Sequence, residues 1–216
     1  GEILGLYGLV GAGRSEVMQA LFGLTRPSSG SITLNGAPFS PHNPGDAIRQ
    51  GLVYVPEDRQ HQGAILTLPI FQNITLPQLG GISRSGFIDM AREYDVAREY
   101  ATLLQLKASS LSENVENLSG GNQQKVVIGK WLATNPNVII VDEPTKGIDI
   151  GSKAAVHRFM GELVARGLSV IMVSSELPEI MGMSDRVIVM HEGRIVSCFD
   201  RDNMSAEAIV TAATGA

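Results

Sequence analysis

One stretch limits the possible folds more than any other. Gly8-Leu9-Val10-Gly11-Ala12-Gly13-Arg14-Ser15 follows the apolar run Ile3-Leu4-Gly5-Leu6-Tyr7 and precedes a segment with Val17, Met18, Leu21 and Leu24 at helical spacing. A strand that turns through glycines into a helix is the phosphate-loop arrangement. The glycines let successive backbone N–H groups point inward, and the helix N-terminus adds its positive dipole end. The pattern G-x-x-x-x-G-K-[ST] is met at every fixed position but one, where Arg14 stands for lysine. Ser15 is placed to offer a hydroxyl to Mg²⁺, and Glu16 puts a carboxylate near the expected phosphates. A dinucleotide fingerprint fails, because G-x-G-x-x-G read from Gly11 requires glycine where Glu16 stands. Arginine keeps the charge but is a bulkier, planar fork, so this loop is expected to handle nucleotide weakly or slowly.

The rest of the chain alternates in the way such a loop requires. Ser31–Leu34 alternates polar and apolar before the turn pair Asn35-Gly36, and Leu52–Val55 is a short apolar strand closed by Pro56. Phe87, Met90, Tyr94, Ala97, Ala101 and Leu104 recur at three- and four-residue steps and predict an amphipathic helix. A second helix is expected from about Gly120 to Thr134, N-capped by Ser119. Asn137–Asp142 and Ser169–Ser174 read as buried strands, with a helix marked by Val156, Phe159 and Leu163 between them. Arg186–Met190 and Arg194–Phe199 read as a closing strand pair. Buried strands alternating with helices imply an α/β fold with a mainly parallel sheet. The helical middle, residues 70–133, reads as an inserted subdomain. The tail after Asp200 is left without an assigned element.

Composition narrows the function classes. The chain has 216 residues with 44% apolar side chains, enough for a core without disulfide staples. Its single Cys198 excludes an internal disulfide and fits a reducing compartment. The net charge of −5 and an aromatic share of 5% argue against a nucleic-acid partner, which needs a basic footprint and stacking platforms. No apolar run reaches the length of a membrane span. His42, His61, His157 and His191 lack metal-ligand spacing. The sequons at Asn73, Asn117 and Asn203 carry no weight in a reducing compartment.

Two further motifs supply chemistry. Val138-Ile139-Ile140-Val141-Asp142-Glu143 ends a buried strand in two acids. The first, Asp142, can hold Mg²⁺ and the second, Glu143, can polarise an attacking water as general base. Leu118-Ser119-Gly120-Gly121-Asn122-Gln123-Gln124 places a hydroxyl and two glycine amides at a helix N-terminus, a second anion site. One nucleotide has little use for two cradles, so the second is suited to the nucleotide of a partner.

In this order and spacing the sequence resembles the ATP-binding-cassette (ABC) ATPases. More narrowly, it is similar to the C-terminal nucleotide-binding half of bacterial sugar importers that fuse two such halves, of the ribose, galactose and rhamnose type. The phrases that carry this are Gly11–Arg14, Pro56-Glu57-Asp58-Arg59, Leu118–Lys125, Asp142-Glu143-Pro144-Thr145-Lys146-Gly147-Ile148-Asp149 and Ser174-Ser175-Glu176. The resemblance implies one P-loop NTPase domain of ABC type over residues 1–216, truncated just inside its first strand, so that the adenine-stacking residue lies upstream. It implies ATP and Mg²⁺ as ligands, with Ser15 and Asp142 on the metal and Glu143 as general base. It implies nucleotide contacts from Gly8 through Glu16, Glu57, Ser119, Gly120, Gly121, Asn122, Gln123, Asp149 and Ser175. The implied partners are an N-terminal ABC half, permease subunits and, indirectly, a periplasmic or extracellular sugar-binding protein, at the cytoplasmic face of the inner membrane.

The departures from the family pattern are Arg14 for Lys, Glu57 for Gln and Ser175 for His. Because a positioned catalytic group contributes on the order of 10²–10⁴ in rate, this half's own site is expected to be degenerate and the isolated domain weak or inactive. Two rival readings remain: a non-hydrolysing regulatory half, or a soluble ABC protein outside transport.

Overall fold

The computed structural model describes residues 1–215. In chain order the elements are β1 (Ile3–Gly8), α1 (Arg14–Leu21), β2 (Ile32–Leu34), β3 (Ala37–Phe39), α2 (Pro44–Arg49), β4 (Leu52–Val55), α3 (Ile70–Thr75), β5 (Ser83–Arg84), β6 (Phe87–Ile88), α4 (Met90–Leu103), α5 (Gly120–Leu132), β7 (Val138–Asp142), α6 (Ile150–Ala165), β8 (Ser169–Val173), α7 (Leu177–Met183), β9 (Arg186–His191), β10 (Arg194–Asp200) and α8 (Ala206–Thr214). They group into two compact units. One comprises Gly1–Tyr54, Pro136–Pro144 and Met160–Ala216, and the other Val55–Asn135 and Thr145–Phe159.

The first unit is built on a six-stranded sheet in the order β10-β9-β1-β8-β7-β4. Strand β1 runs parallel to β8 and β9, and β7 runs parallel to β8, while β10 closes the edge antiparallel to β9. The apolar runs read as strands are those that pair. Ile139, Ile140, Val170, Met172, Val187 and Val189 are essentially fully buried, as covered parallel strands must be. Register Asp142↔Val173 brings the carboxyl ends of β7 and β8 level. Ligands of open α/β sheets bind at these carboxyl ends. Asn35 and Gly36 both take left-handed φ, 52° and 76°, and join β2 to β3 as an antiparallel hairpin.

Two expectations fail in this unit. Of the apolar residues assigned to one face after the glycine loop, only Met18 is buried within α1. Val17 is 41% exposed, and Leu24 lies beyond the helix end. The tail is not featureless: Ser205 Oγ accepts from Ala208 N at 3.2 Å and starts α8. Gly215, φ 72°, follows its last turn. Ile209 and Ala213 are fully buried, because a helix of small residues can lie close against its neighbours.

The second unit packs α3, α4 and α5 around Ile70, Ile74, Ala97, Val115, Leu118, Val126 and Ala133. It is wider than the 70–133 insert read from the sequence, beginning at Val55 and taking in Thr145–Phe159. Helix α4 starts at Met90, so Phe87 falls outside it on β6 and is 80% exposed. The three-and-four spacing ran one turn too far because Asp89 caps the helix, accepting from Arg92 N at 3.1 Å.

Candidate functional site

The glycine loop takes the predicted conformation. Gly11 and Gly13 have φ of 83° and 90°, values that side-chain-bearing residues resist. A Cβ on Gly8 would sit 2.5 Å from Met190 O, so β1 can approach β9 there only without one. The loop is closed by Ala12 N donating to Leu9 O and braced by Gly193 N donating to Ala12 O, each at 3.0 Å. Leu9 and Val10 face outward, 48% and 93% exposed. Helix α1 begins at Arg14 with Gly13 as its cap residue and no side-chain acceptor on its first amides. That is the state a phosphate-binding terminus needs. Ser15 is half-buried in the first turn and Glu16 is exposed.

Arg14 turns inward. It is 9% exposed, Nη1 lies 3.6 Å from Glu143 Oε1, and that nitrogen has no hydrogen-bond partner among the described residues. Glu143 stands in left-handed backbone, φ 48°, fixed by Glu143 N donating to Val173 O at 2.8 Å. Such a conformation in a residue with a side chain costs about 1–3 kcal/mol and clusters at functional sites. Burial raises the Glu143 carboxyl above the usual range. Hydrogen bonds from the Ser175 backbone and hydroxyl, then the Arg14 charge, pull it back, and the neighbouring Asp142 pushes it up again. Ser175, exposed at the end of β8, thus addresses the same carboxylate as Arg14.

Asp142 is 1% exposed and its Oδ2 accepts from Tyr54 Oη at 2.8 Å. Tyr54 is a site residue the sequence reading missed; the signal was a phenol inside the apolar run Leu52–Val55, since a buried hydroxyl needs a partner. The hydroxyl of Ser15 and the carboxylate of Asp142 are hard oxygen donors of the kind Mg²⁺ takes. The structure thus gathers Gly8–Glu16, Asp142, Glu143 and Ser175 in the first unit.

The other expected contacts belong to the second unit. Ser119 precedes α5 and is exposed. Its Oγ accepts from Asn122 Nδ2 at 3.0 Å, and Asn122 Oδ1 in turn accepts from Lys107 N at 3.0 Å. Ser119 is the N-cap residue of α5, as expected, but its hydroxyl accepts from no backbone amide, so the first amides of α5 carry no side-chain acceptor. Gly120 and Gly121 have close neighbours: a Cβ would stand 2.7 Å from Arg59 Nη2 and 2.5 Å from Ser152 Oγ, respectively. Asp149 caps the start of α6, accepting from Ser152 N at 3.0 Å and Ser152 Oγ at 2.6 Å. Exposed Glu57 is ion-paired with Lys146. Gln123 departs from its expected role. It is 5% exposed, Oε1 accepts from Gln60 Nε2, and Nε2 donates to Val115 O, both at 3.3 Å. One turn into α5 its side chain faces the core, so its amide is occupied inside the unit.

The profile of the ABC transporter family matches residues 1–146. Over 215 residues the chain is 65% identical to the ribose import ATP-binding protein RbsA 1 of Rhizobium meliloti (strain 1021), covering all of this chain and 43% of that protein. It is 47% identical to the ribose import ATP-binding protein RbsA of Geobacillus kaustophilus (strain HTA426), covering 44% of it. The chain therefore spans less than half the length of these curated relatives. Among solved structures, a nucleotide-free ATP-binding cassette from an ABC transporter superposes with a TM-score of 0.82 over 98% of this chain and 87% of its own, at 20% identity. A dimeric cassette in a post-hydrolysis state with ADP and Pi gives 0.79 over 94% and 87%, also at 20% identity. At that identity the likeness speaks for the fold, an ABC-type P-loop NTPase. The matches account for one cassette. They do not support placing it in the C-terminal half, nor naming an N-terminal half as its partner. With the family profile covering two-thirds of its length, the chain belongs to the ABC transporter family, as an ATP-binding-cassette domain.

Proposed function

We propose that this chain is the ATP-binding cassette of a ribose-type sugar importer, that its own site turns ATP over slowly, and that its Ser119–Asn122 end completes the nucleotide site of a second cassette. The observation that carries the reading is the 3.6 Å approach of Arg14 Nη1 to Glu143 Oε1. The guanidinium stands where the phosphate-loop lysine belongs, and it faces the candidate general base. The Arg14 charge pulls this carboxyl down against the larger upward push of burial, so it is a weaker base than it would be without the arginine. Glu57 and Ser175, in place of an amide and an imidazole, supply neither of those groups.

In this reading the amides of Gly11–Ser15 and the N-terminus of α1 hold the phosphate chain, while Arg14 stays against Glu143. Ser15 and Asp142 would hold Mg²⁺, with Tyr54 fixing one carboxylate oxygen; the metal, when bound, neutralises phosphate charge. Glu143 orients water, and Ser175 holds Glu143. Across a head-to-tail pair of cassettes, Ser119 and the first amides of α5 face the partner's phosphates, with Asp149 beside them. Closing on ATP and opening after hydrolysis would drive a permease at the cytoplasmic face of the membrane, with sugar delivered by a binding protein. No helix among the described residues is long and apolar enough to cross a membrane, which suits a peripheral subunit.

The identity with ribose import proteins supports the sugar-import reading over a soluble ABC protein, and the Arg14–Glu143 contact favours a regulatory role for this half's own site. The test uses the full-length protein with its permease. Glu143→Gln should leave ATP turnover within about twofold of wild type, whereas Ser119→Arg, which blocks the anion site, should lower it by at least about a hundredfold. A large loss from Glu143→Gln would show that this site hydrolyses ATP, and no loss from Ser119→Arg would remove the partner-site role.

A further inference from the structure

Arg59–Gly63 forms one π-helical turn, closed by Ala64 N donating to Arg59 O at 2.9 Å. Asp58 caps it, accepting from Gln60 N and His61 N at 3.1 Å each. Isolated π turns are rare and recur at functional sites. This one is gripped along its length by α5. Gln60 Nε2 donates to Gln123 Oε1, a Cβ on Gly63 would sit 3.0 Å from a Val127 methyl, and Lys130 Nζ donates to Gly63 O at 2.5 Å. Gln123, Val127 and Lys130 lie on one face of the helix, at four- and three-residue steps.

The other side of the turn reaches further. Arg59 Nη1 donates to Lys146 O at 2.9 Å and Nη2 to Gly147 O at 3.2 Å. The same Nη2 lies 2.7 Å from where a Cβ on Gly120 would stand. One side chain therefore touches both the first residue of α5 and the turn that leads to Asp149. A second contact ties the same two elements: Ser152, bound to Asp149, packs against Gly121.

We infer that Arg59 is a positioning residue that locks Ser119–Gly121 to the Lys146–Asp149 turn, so that both meet the second cassette's nucleotide as one piece. This rests on the proposed partner-site role. Gly147 holds a left-handed φ of 67°, leaving two successive carbonyls of the turn to be met by one donor group. The planar guanidinium supplies two donors in fixed geometry, whereas lysine is a single point charge on a flexible stem. A displacement of about 1 Å in such a constellation costs up to about a hundredfold in rate.

The test measures ATP turnover by the full-length protein with its permease. For Arg59→Met, kcat should fall about tenfold while the KM for ATP moves by less than about twofold, because the nucleotide itself is held elsewhere. Arg59→Lys should recover less than about half of the lost rate. Asp149→Ala provides the cycle: if Arg59 acts through this turn, the double variant is no slower than the slower single one. Losses that multiply, a change in KM alone, or full rescue by lysine would each overturn the inference. If Arg59→Met does not fold, Arg59→Lys with Asp149→Ala makes the same comparison with bulk and charge retained. Ser119→Arg separates the two levels. If it leaves turnover intact, the partner-site role fails. If it abolishes turnover and Arg59→Met leaves kcat unchanged, only the positioning role fails.

Discussion

Arg14 Nη1 lies 3.6 Å from Glu143 Oε1, and the two side chains are 10% and 9% exposed. A guanidinium at the start of α1 and a carboxylate after β7 thus meet where water is scarce and their attraction is least screened. The phosphate-loop cation is engaged with the candidate base of its own site.

This contact predicts the effect of restoring lysine. In the assembled protein, with the second cassette's own site silenced, Arg14→Lys should raise the residual ATP turnover about threefold to tenfold, since a lysine ammonium on phosphate leaves Glu143 unpaired. Adding Glu143→Gln should return that gain to background. A rate that falls or stays flat in Arg14→Lys would mean that the arginine does not restrain the base.

Lys130 gives a prediction in pH. Burial lowers its ammonium from 10.5 to about 8. The unfolded chain therefore keeps this proton up to about pH 10.5, and the folded one only up to about pH 8. Between those values the unfolded state binds more protons, so this group's contribution to stability rises with pH there; below about pH 8 its burial penalty is constant. Relative to Lys130→Met, wild type should gain on the order of 3 kcal/mol of unfolding free energy between pH 8 and 10.5. Urea unfolding of both proteins at the two pH values checks this, and a constant difference refutes it.

Asn73 holds together the segment that precedes α3. It is fully buried, Oδ1 accepts from Ile65 N at 2.8 Å, and Nδ2 is shared among the carbonyls of Ile65, Leu68 and Pro69 at 2.9, 3.2 and 3.2 Å. Asn73→Ala strands these backbone groups and should cost about 2–4 kcal/mol by chemical denaturation. Asn73→Asp should cost at least as much, because it sets a second acceptor against three carbonyls. A loss below about 0.5 kcal/mol from Asn73→Ala would show that water replaces the amide freely.

Where pattern and packing coincide, the sequence was legible. Strands β4, β7 and β8 fell where apolar runs placed them, and α5 began at the residue after Ser119. The misses share a cause. Phe87 and Leu24 continue a helical spacing past the helix end, because periodicity registers side-chain type and not the cap that stops the backbone. Helix α8 was missed because its apolar face is mostly alanine, although Ser205 and Gly215 bracket it. Gln123 was assigned to nucleotide by its place in a motif, but it is 5% exposed and its side-chain amide is taken up by Gln60 and the Val115 carbonyl.

The sequence by itself determined the family, because the glycines at 8, 11 and 13, the acids at 142 and 143, and the glycine pair at 120 and 121 are the residue types that backbone cradles and strand ends demand. It also marked Arg14 as a departure, without saying what the arginine touches. Tertiary structure decided that. The parallel register that levels β7 with β8 sets Glu143 beside Ser175, and the turn of α1 sends the guanidinium inward to the same carboxylate. It likewise decided that Arg59, 87 residues from Lys146 in the chain, spans to that residue's carbonyl. Distance along the chain holds no information about such contacts; they exist only once the strands and helices are packed.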